Sequence, residues 1–248
     1  MNRAEKRRQM KLVDKSAKKA QSIQPAPVNA QSPQPQQTMT VQQAIELGLQ
    51  YQKSGDLRKA EVIYQQILQA EPNQPLALQY LGVIAHQAGQ YDVAVDLITK
   101  ALSIKPDSAE AHNNLGFSLQ EQGKLDDAVA SYDKALRIKP NFVEALNNLG
   151  NTFQEQGKLD DAVSCYRKAL AIKPDYAEAH NNLGNVLKEQ GKLDDAVTSY
   201  QKALVIKPDY AMAHSNLGNT FQEQGKTDEA IVSYHKALAI KLDFAEAH

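Results

Sequence analysis

The chain has little of several residue types on which other classes of protein depend. Its 248 residues include no tryptophan and a single cysteine, Cys165, so no intramolecular disulfide can form. This cysteine usage is typical of a reducing compartment. No apolar run approaches the ~18–20 residues of a transmembrane helix, and none of about 7–15 residues follows the N-terminal charges as in a secretory signal. We therefore expect a cytoplasmic protein.

The net charge of −1 hides two regions of opposite sign. Residues 1–20 carry eight Lys or Arg against two acidic residues, so this basic tail has a net charge of +6 and the rest of the chain −7. Residues 21–40 are uncharged and rich in Gln, Pro and Ser, which predicts a disordered linker. The tail could contact nucleic acid or an anionic membrane, although a solvated tail is the simpler interpretation. The acidic remainder argues against phosphate binding elsewhere.

Glycine recurs in register every 34 residues from Gly48 to Gly218. A period of this length predicts an array of small modules, each of which contacts only its neighbours, with one long surface for a partner. We number the positions of each repeat 1 to 34 and begin the array, 41–248, at Val41. The six full repeats are 41–74, 75–108, 109–142, 143–176, 177–210 and 211–244, and residues 245–248 begin a seventh.

Each repeat predicts two helices joined by a tight turn. In the third repeat, apolar and small residues follow helical spacing from His112 to Leu119 and again from Leu125 to Leu136. Gly123 stands where the first helix needs a left-handed residue to stop, and Pro140 ends the second. An acidic or amide residue followed three positions later by Glu predicts the cap of the next helix. These pairs are Asp107 with Glu110, Asn141 with Glu144, Asp175 with Glu178, and Asp243 with Glu246.

The recurring set of residues resembles the tetratricopeptide repeat over residues 41–244. In the third repeat the set is His112, Leu115, Gly116, Leu119, Ala128, Tyr132, Ala135 and Pro140. The resemblance implies an all-α, right-handed superhelical solenoid of stacked antiparallel helix pairs, with the first helix of each pair lining a concave groove. The departures are Ala44 and Ile67 in the first repeat, Ile98 in the second and Leu242 in the sixth.

Asparagines follow one face of the first helix in the third to sixth repeats. At ~100° per residue, positions 5, 6 and 9 lie opposite the packing stripe. Each primary amide offers one acceptor and two donor hydrogens, which suits the repeating backbone of an extended peptide. The alternative is that these amides tie adjacent helices together or face water. The predicted binding residues are Asn113, Asn147 and Asn181 at position 5, Asn114, Asn148, Asn182 and Asn216 at position 6, and Asn151, Asn185 and Asn219 at position 9.

The row at position 6 is similar to the asparagine ladder of the protein O-linked N-acetylglucosamine transferases. That resemblance implies a contact with peptide backbone for Asn114, Asn148, Asn182 and Asn216. The first two repeats depart from it, with Glu46 and Tyr80 at this position.

Other candidate chemistry is weak. The histidines at position 4, such as His112, lie on the packing stripe of successive helices about 8–10 Å apart, too far to share a metal ion. Adjacent pairs such as Asp126–Asp127 point ~100° apart at a helix start, where they complement the helix dipole. Cys165 replaces a serine of the sister repeats and lacks an activating base. We expect no cofactor, no metal, no small-molecule substrate and no catalytic site.

Two functions remain open from the sequence. The first is a non-enzymatic scaffold that binds a peptide or partner protein in its groove. The second is the recruiting arm of a longer glycosyltransferase, since the seventh repeat stops after four residues. Repeat arrays normally end in a polar capping module, so the apolar stripe of the last helix could instead be covered by end-to-end self-association.

Overall fold

Twelve α-helices make up the part of the chain that the structure, a computed structural model, describes, which is residues 39–246. The expectations for the basic tail, most of the linker and residues 247–248 fall outside that part. The helices are α1 (Val41–Lys53), α2 (Leu57–Ala70), α3 (Pro75–Gln87), α4 (Tyr91–Ile104), α5 (Ala109–Glu121), α6 (Leu125–Ile138), α7 (Val143–Glu155), α8 (Leu159–Ile172), α9 (Ala177–Glu189), α10 (Leu193–Ile206), α11 (Ala211–Glu223) and α12 (Thr227–Glu246).

Consecutive helices pack as antiparallel pairs, one pair to a repeat, and the second helix of each pair also packs against the first helix of the next. The predicted all-α solenoid is confirmed. Its core is a chain of small clusters, such as the one that Tyr166, Val186 and Tyr200 share across two repeats. This arrangement places the first helices side by side, so that equal positions in successive repeats form continuous rows.

The turn inside each repeat depends on glycine. Gly123 has a φ of 72°, and the glycines at the same position of the other five repeats lie between 71° and 82°. The amide of Lys124 donates to the carbonyl of Leu119 and that of Gly123 to Gln120, which is the double hydrogen bond of a Schellman motif. The predicted helix stop is therefore confirmed.

The predicted helix starts between repeats are wrong by one residue. Ser108, not Asp107, caps α5, and its Oγ accepts from the amide of Ala111 at 3.2 Å. At α7 and α9 the capping position is an aromatic residue, Phe142 or Tyr176, with no side-chain capping bond. Asp107, Asn141 and Asp175 stand one residue too early, so packing of the aromatic residue takes the place of a capping box.

A tyrosine lies directly on the position-8 glycine of its own repeat. A Cβ added to Gly116 would lie 2.8 Å from Cε1 of Tyr132, whose side chain is fully buried. The same contact recurs in the other repeats except the second, where Ile98 takes the place of the ring over Gly82. The glycine therefore makes room for the ring, and this contact holds the two helices of a repeat together.

The last helix departs from the pattern. α12 has 20 residues, whereas the other second helices have 14, because Leu242 stands where the sister repeats have a helix-ending proline. The helix start predicted at Asp243 is therefore wrong, and no break occurs at Ala245. The outer face of α12 is open, since Ile231 is 48% and Leu238 58% exposed. The sister residue Val163 is only 8% exposed because the next repeat covers it.

Candidate functional site

The asparagine rows of the last three repeats form one hydrogen-bonded network across the first helices α7, α9 and α11. Nδ2 of Asn182 donates to Oδ1 of Asn147 at 3.2 Å and to Oδ1 of Asn151 at 3.1 Å. Both acceptors belong to the preceding repeat, so each position-6 amide ties its helix to the helix before it. We call this set the amide network; its members are Asn147, Asn151, Asn181, Asn182, Asn185 and Asn216.

The same geometry recurs one repeat further on. Nδ2 of Asn216 donates to Oδ1 of Asn181 and to Oδ1 of Asn185, both at 3.0 Å. The repetition follows from the 34-residue period, which brings the same three amides together wherever positions 5 and 9 of one repeat and position 6 of the next are asparagine. The alternative interpretation of the asparagines, that they tie adjacent helices together, therefore holds for the amide atoms that point into the network.

Tyrosine hydroxyls fix the direction of the position-9 amides. The hydroxyl of Tyr166 donates to Oδ1 of Asn151 at 2.7 Å, and that of Tyr200 donates to Oδ1 of Asn185 at 2.8 Å. Each of these oxygens also accepts from the next repeat, so both of its lone pairs are used. The position-9 amide therefore keeps its oxygen inward and directs its NH₂ group away from the network.

The two outer rows of the network offer opposite hydrogen-bonding groups to the groove. Within residues 39–246, no hydrogen bond uses Nδ2 of Asn151 or Asn185, or Oδ1 of Asn148 or Asn216. In the fourth repeat, position 6 thus presents a free acceptor and position 9 a free donor. In the fifth repeat, Oδ1 of Asn182 already accepts from Nδ2 of Asn181 at 3.4 Å and has one lone pair left. Both rows are half-buried, so they are reachable from the groove and held from behind.

Some predicted binding residues are not accessible. Asn147 is 6% exposed and Asn181 is completely buried, so both serve as internal acceptors and cannot contact a partner. Asn113 is half-buried and accepts from Asn148 at 3.2 Å. The accessible surface of each first helix is therefore narrower than the helical projection predicts, because the next repeat covers position 5.

The two ends of the rows also differ from the prediction. Asn114 is half-buried, but in the described part of the chain its side chain makes no hydrogen bond, since Val83 stands where the network needs a preceding asparagine. Asn219 is exposed at the last repeat and accepts from the hydroxyl of Tyr234 at 2.8 Å. The tied ladder accordingly begins at Asn148, one repeat later than expected.

An apolar row continues the position-9 row into the first three repeats. We call Leu49, Val83 and Phe117 the apolar stripe; Leu49 and Val83 are half-buried, and Phe117 is 41% exposed. The ring of Phe117 lies over that of His86, with 4.3 Å between centroids. The stripe is absent from the predicted binding residues because these were selected as asparagines. The sequence does indicate it, since the residue at position 9 is apolar in the first three repeats and asparagine in the last three.

A row of glutamates lines one edge of the groove at position 13. Glu155, Glu189 and Glu223 are exposed and each is held by position 12 of the preceding repeat: Gln120 donates to Glu155, Gln154 to Glu189, and Lys188 lies 3.4 Å from Glu223. These exposed contacts orient the side chains but contribute little to stability. They make this edge of the groove acidic.

The histidines at position 4 each contact the loop that precedes their own helix. Nε2 of His112 lies 3.0 Å from the carbonyl oxygen of Pro106, in the loop before its helix, and His180 and His214 repeat the contact with Pro174 and Pro208. Burial lowers the pKa of His112 and of His180. In residues 39–246 no three potential metal ligands come together.

Neither the cysteine nor the cavity beside the last helix marks a chemical site. Burial raises the pKa of the Cys165 thiol to about 11, so it stays protonated and unreactive at neutral pH. A cavity of about 1020 Å³ lies among α10, α11 and α12 and is open and mostly apolar, lined by residues such as Val205 and Val232. No member of the amide network borders it.

Comparisons with known proteins agree with the fold. Among solved structures, MamA superposes with a TM-score of 0.60 at 28% identity over 67% of this chain and 97% of its own. PilW, described as a widely conserved type IV pilus biogenesis factor, has a TM-score of 0.75 at 25% identity over 82% and 94%. PilF of Pseudomonas aeruginosa, with a TM-score of 0.70 at 20% identity over 83% and 97%, shows the fold alone. A search of curated proteins finds no match.

Two further findings bear on the class of protein. None of the helices in the described residues combines the length and the apolar character needed to cross a bilayer. Models of the tetratricopeptide repeat match residues 51–116 and 211–244, and a TPR repeat model matches 118–157, 150–191 and 184–225. These matches cover most of the array, and the chain therefore belongs to the tetratricopeptide repeat family.

Proposed function

We propose that this protein is a non-enzymatic scaffold that binds an extended segment of a partner protein in the groove formed by its first helices. The observation that supports this most directly is the pair of groups in the fourth repeat without a hydrogen bond to any described residue, the Oδ1 of Asn148 and the Nδ2 of Asn151. The fifth repeat adds the Nδ2 of Asn185 and the second lone pair of the Asn182 Oδ1, whose first accepts from Asn181. A peptide unit carries the complementary pair, one N–H donor and one C=O acceptor. Asn148 and Asn182 on one row, with Asn151 and Asn185 on the other, would engage successive parts of the backbone.

Preorganisation supports the proposal as well. The inward half of each amide is bonded to the neighbouring repeat or to a buried tyrosine, so Asn182 and Asn185 are already oriented before any partner arrives. Fixing a side chain costs roughly 0.5–1.5 kcal/mol when it happens on binding. In this groove that cost is met during folding, which favours a partner held through many weak backbone contacts.

The second function from the sequence, the recruiting arm of a glycosyltransferase, has no separate observation in its favour. The amide network would serve either a free scaffold or an arm equally well. Of the similar structures named above, PilW is described as a pilus biogenesis factor, and MamA and PilF are identified only by name. We therefore retain the scaffold as the proposal and assign no transferase activity to these residues.

The test uses substitutions that change only the outward half of the amide. Asn151→Asp with Asn185→Asp keeps the inward oxygen that accepts from tyrosine and replaces the outward NH₂ donor with an oxygen. The matched control is Asn141→Asp, an exposed loop position where four of the sister repeats already have aspartate. Peptides selected from a random-sequence library on the wild-type protein serve as ligands, and affinity is measured by fluorescence anisotropy.

We expect the double substitution to weaken binding by a factor of about five or more, since two backbone contacts of roughly 0.5–1.5 kcal/mol each are lost. The control should bind as the wild type does, and circular dichroism should show unchanged helicity in both. N-methylation of alternate peptide bonds in the ligand should weaken binding similarly. If neither the double substitution nor backbone methylation alters affinity, the amide rows are not the binding surface.

A further inference from the structure

The position-9 row changes its chemistry halfway along the groove. It is Leu49, Val83 and Phe117 in the first three repeats and Asn151, Asn185 and Asn219 in the last three. Because equal positions of successive repeats lie side by side, the apolar stripe and the donor row are one continuous line on the same face. A partner that follows the groove meets both parts in sequence.

The apolar half offers no outward amide donor at this position. Phe117 is 41% exposed where a sister repeat has an asparagine, and it stacks on His86, which is itself held 3.1 Å from Oγ of Ser118. Val83 is half-buried beside them, and Tyr80 fills position 6 of the same repeat, in ring contact with Tyr64 at 5.6 Å. These side chains can bury apolar groups of a partner but cannot bind its backbone as the amides do.

The spacing of the stripe restricts the partner further. Packed helices lie about 8–10 Å apart, so the three apolar side chains recur at about that distance. An extended chain advances 3.1–3.4 Å per residue, and three residues therefore cover roughly the same distance. In the polyproline II conformation, residues three apart also lie on the same face. An α-helix would match the distance every seven residues, but its backbone groups are bonded internally and could not engage the amides further along.

We propose that the partner is an extended segment in two parts. One part carries bulky aliphatic or aromatic side chains three residues apart, which pack on Leu49, Val83 and Phe117. The adjoining part is held through its backbone by the amide network, where side-chain identity matters less. This inference rests on the proposed function, because it identifies the class of segment that the same groove binds.

Peptides are first selected from a random-sequence library on the wild-type protein. Their affinities are then measured for the wild type and for two variants of Phe117. Phe117→Asn gives the third repeat the residue of its sisters, and Phe117→Leu keeps an apolar side chain. We expect the selected peptides to share bulky apolar residues at a spacing of three. Their affinity should fall about tenfold for Phe117→Asn, as for the loss of one buried side chain, and change little for Phe117→Leu.

The outcomes separate this inference from the proposed function. If the selected peptides lack bulky apolar residues, or show them at a spacing of seven, the two-part segment is wrong. It is also wrong if Phe117→Asn leaves affinity unchanged while Asn151→Asp with Asn185→Asp weakens it; the proposed function then stands alone. If the library yields no peptide that binds in the groove, both proposals fail.

Discussion

The first three repeats and the last three share a backbone plan but are joined to one another by different side chains. In the first half, neighbouring repeats meet through rings and aliphatic groups, such as Tyr64 with Tyr80 and His86 with Phe117. In the second half, amides join the groove-facing side of each boundary, with Asn182 and Asn216 each donating twice, while apolar clusters such as that of Tyr166 and Val186 lie behind them. The comparison shows that stacking of the modules does not require one chemistry, so the surface of the groove is free to vary along the array.

The largest effect should come from the contact that both halves share, the position-8 glycine. In the second half, a Cβ at position 184 would lie 2.6 Å from Tyr200, and that ring is held by its hydroxyl bond to Asn185. In the first half, a Cβ at position 82 would lie 2.6 Å from Cγ1 of Ile98 and 3.3 Å from the carbonyl oxygen of Ala94, and no hydrogen bond fixes the smaller Ile98 side chain. We expect Gly184→Ala to lower the free energy of unfolding by about 2–3 kcal/mol and Gly82→Ala by about 1 kcal/mol.

Urea unfolding followed by circular dichroism measures both variants. Gly123→Ala is not a suitable control, because its φ is positive and the strain there is of the backbone. The expectation fails if Gly82→Ala is the more destabilising of the two, since the rigidity of the tyrosine would then be irrelevant.

The second effect concerns the asparagine at position 6, whose side chain is hydrogen-bonded in the second half of the array but, within residues 39–246, not in the third repeat. Asn182→Ala removes the two hydrogen bonds that its Nδ2 donates and the one that its Oδ1 accepts from Asn181, and it leaves the buried Oδ1 of Asn147 without its donor, so we expect a loss of about 1–3 kcal/mol. Asn114→Ala removes the same chemical group from the third repeat, where its side chain has no hydrogen bond in the described residues. We expect its effect to stay within about 0.5 kcal/mol. Equal losses in the two variants would show that the amide network does not tie the repeats together.

Part of this contrast was predictable from the sequence. The period, the two helices per repeat and the left-handed glycine follow from local rules that need only a few neighbouring residues, and each is confirmed. The capping prediction failed because an aromatic side chain packs at the cap position, which local preference for Asp or Asn does not reveal. The sequence shows that Leu242 replaces the helix-ending proline of the other repeats. That replacement alone did not predict that α12 continues, and only the backbone of the structure shows it.

The site was harder to predict for a physical reason. Helical projection places Asn147 and Asn151 on one open face, yet only the stacking of the next repeat decides that Asn147 is buried and Asn151 is half-buried. The direction of each amide depends on a tyrosine hydroxyl 15 residues away in sequence, Tyr166 for Asn151. Such directions arise only in the packed array, so the sequence could identify the rows but not which atoms they offer.

The third effect concerns the outer faces of the two ends. α12 leaves Leu238 58% exposed on a stripe that inner repeats bury, whereas the outer face of α1 carries Gln42, Glu46 and Gln50. We expect the 1–248 chain to self-associate weakly through α12, and Leu238→Gln to raise the dissociation constant about tenfold. Analytical ultracentrifugation over a concentration series measures this. Val62→Gln, which removes an apolar side chain 51% exposed on α2 in the first repeat, should leave association unchanged; a monomer at all concentrations contradicts the expectation.

The smallest effect is a dependence of stability on pH that differs between repeats with and without a position-4 histidine. Burial holds the pKa of His112 below its ordinary value, so the folded chain binds this proton more weakly than the unfolded chain does. Stability is therefore fully present above the unfolded pKa of about 6.5 and declines as the pH falls through it. Nδ1 of His112, where the proton would bind, is buried without a partner among the described residues, which explains the direction.

His112→Leu tests this cause, because leucine occupies the same position in the fourth repeat as Leu146. The substitution also removes the contact with Pro106, so the absolute stability of the variant is uninformative. The informative quantity is the difference between the free energies of unfolding near pH 7.5 and near pH 5.5, each obtained from a urea titration. We expect that difference to become smaller in the variant by less than about 1 kcal/mol, because His180 and His86 also have lowered pKa values and retain their share. An unchanged difference would assign the pH dependence to the other histidines.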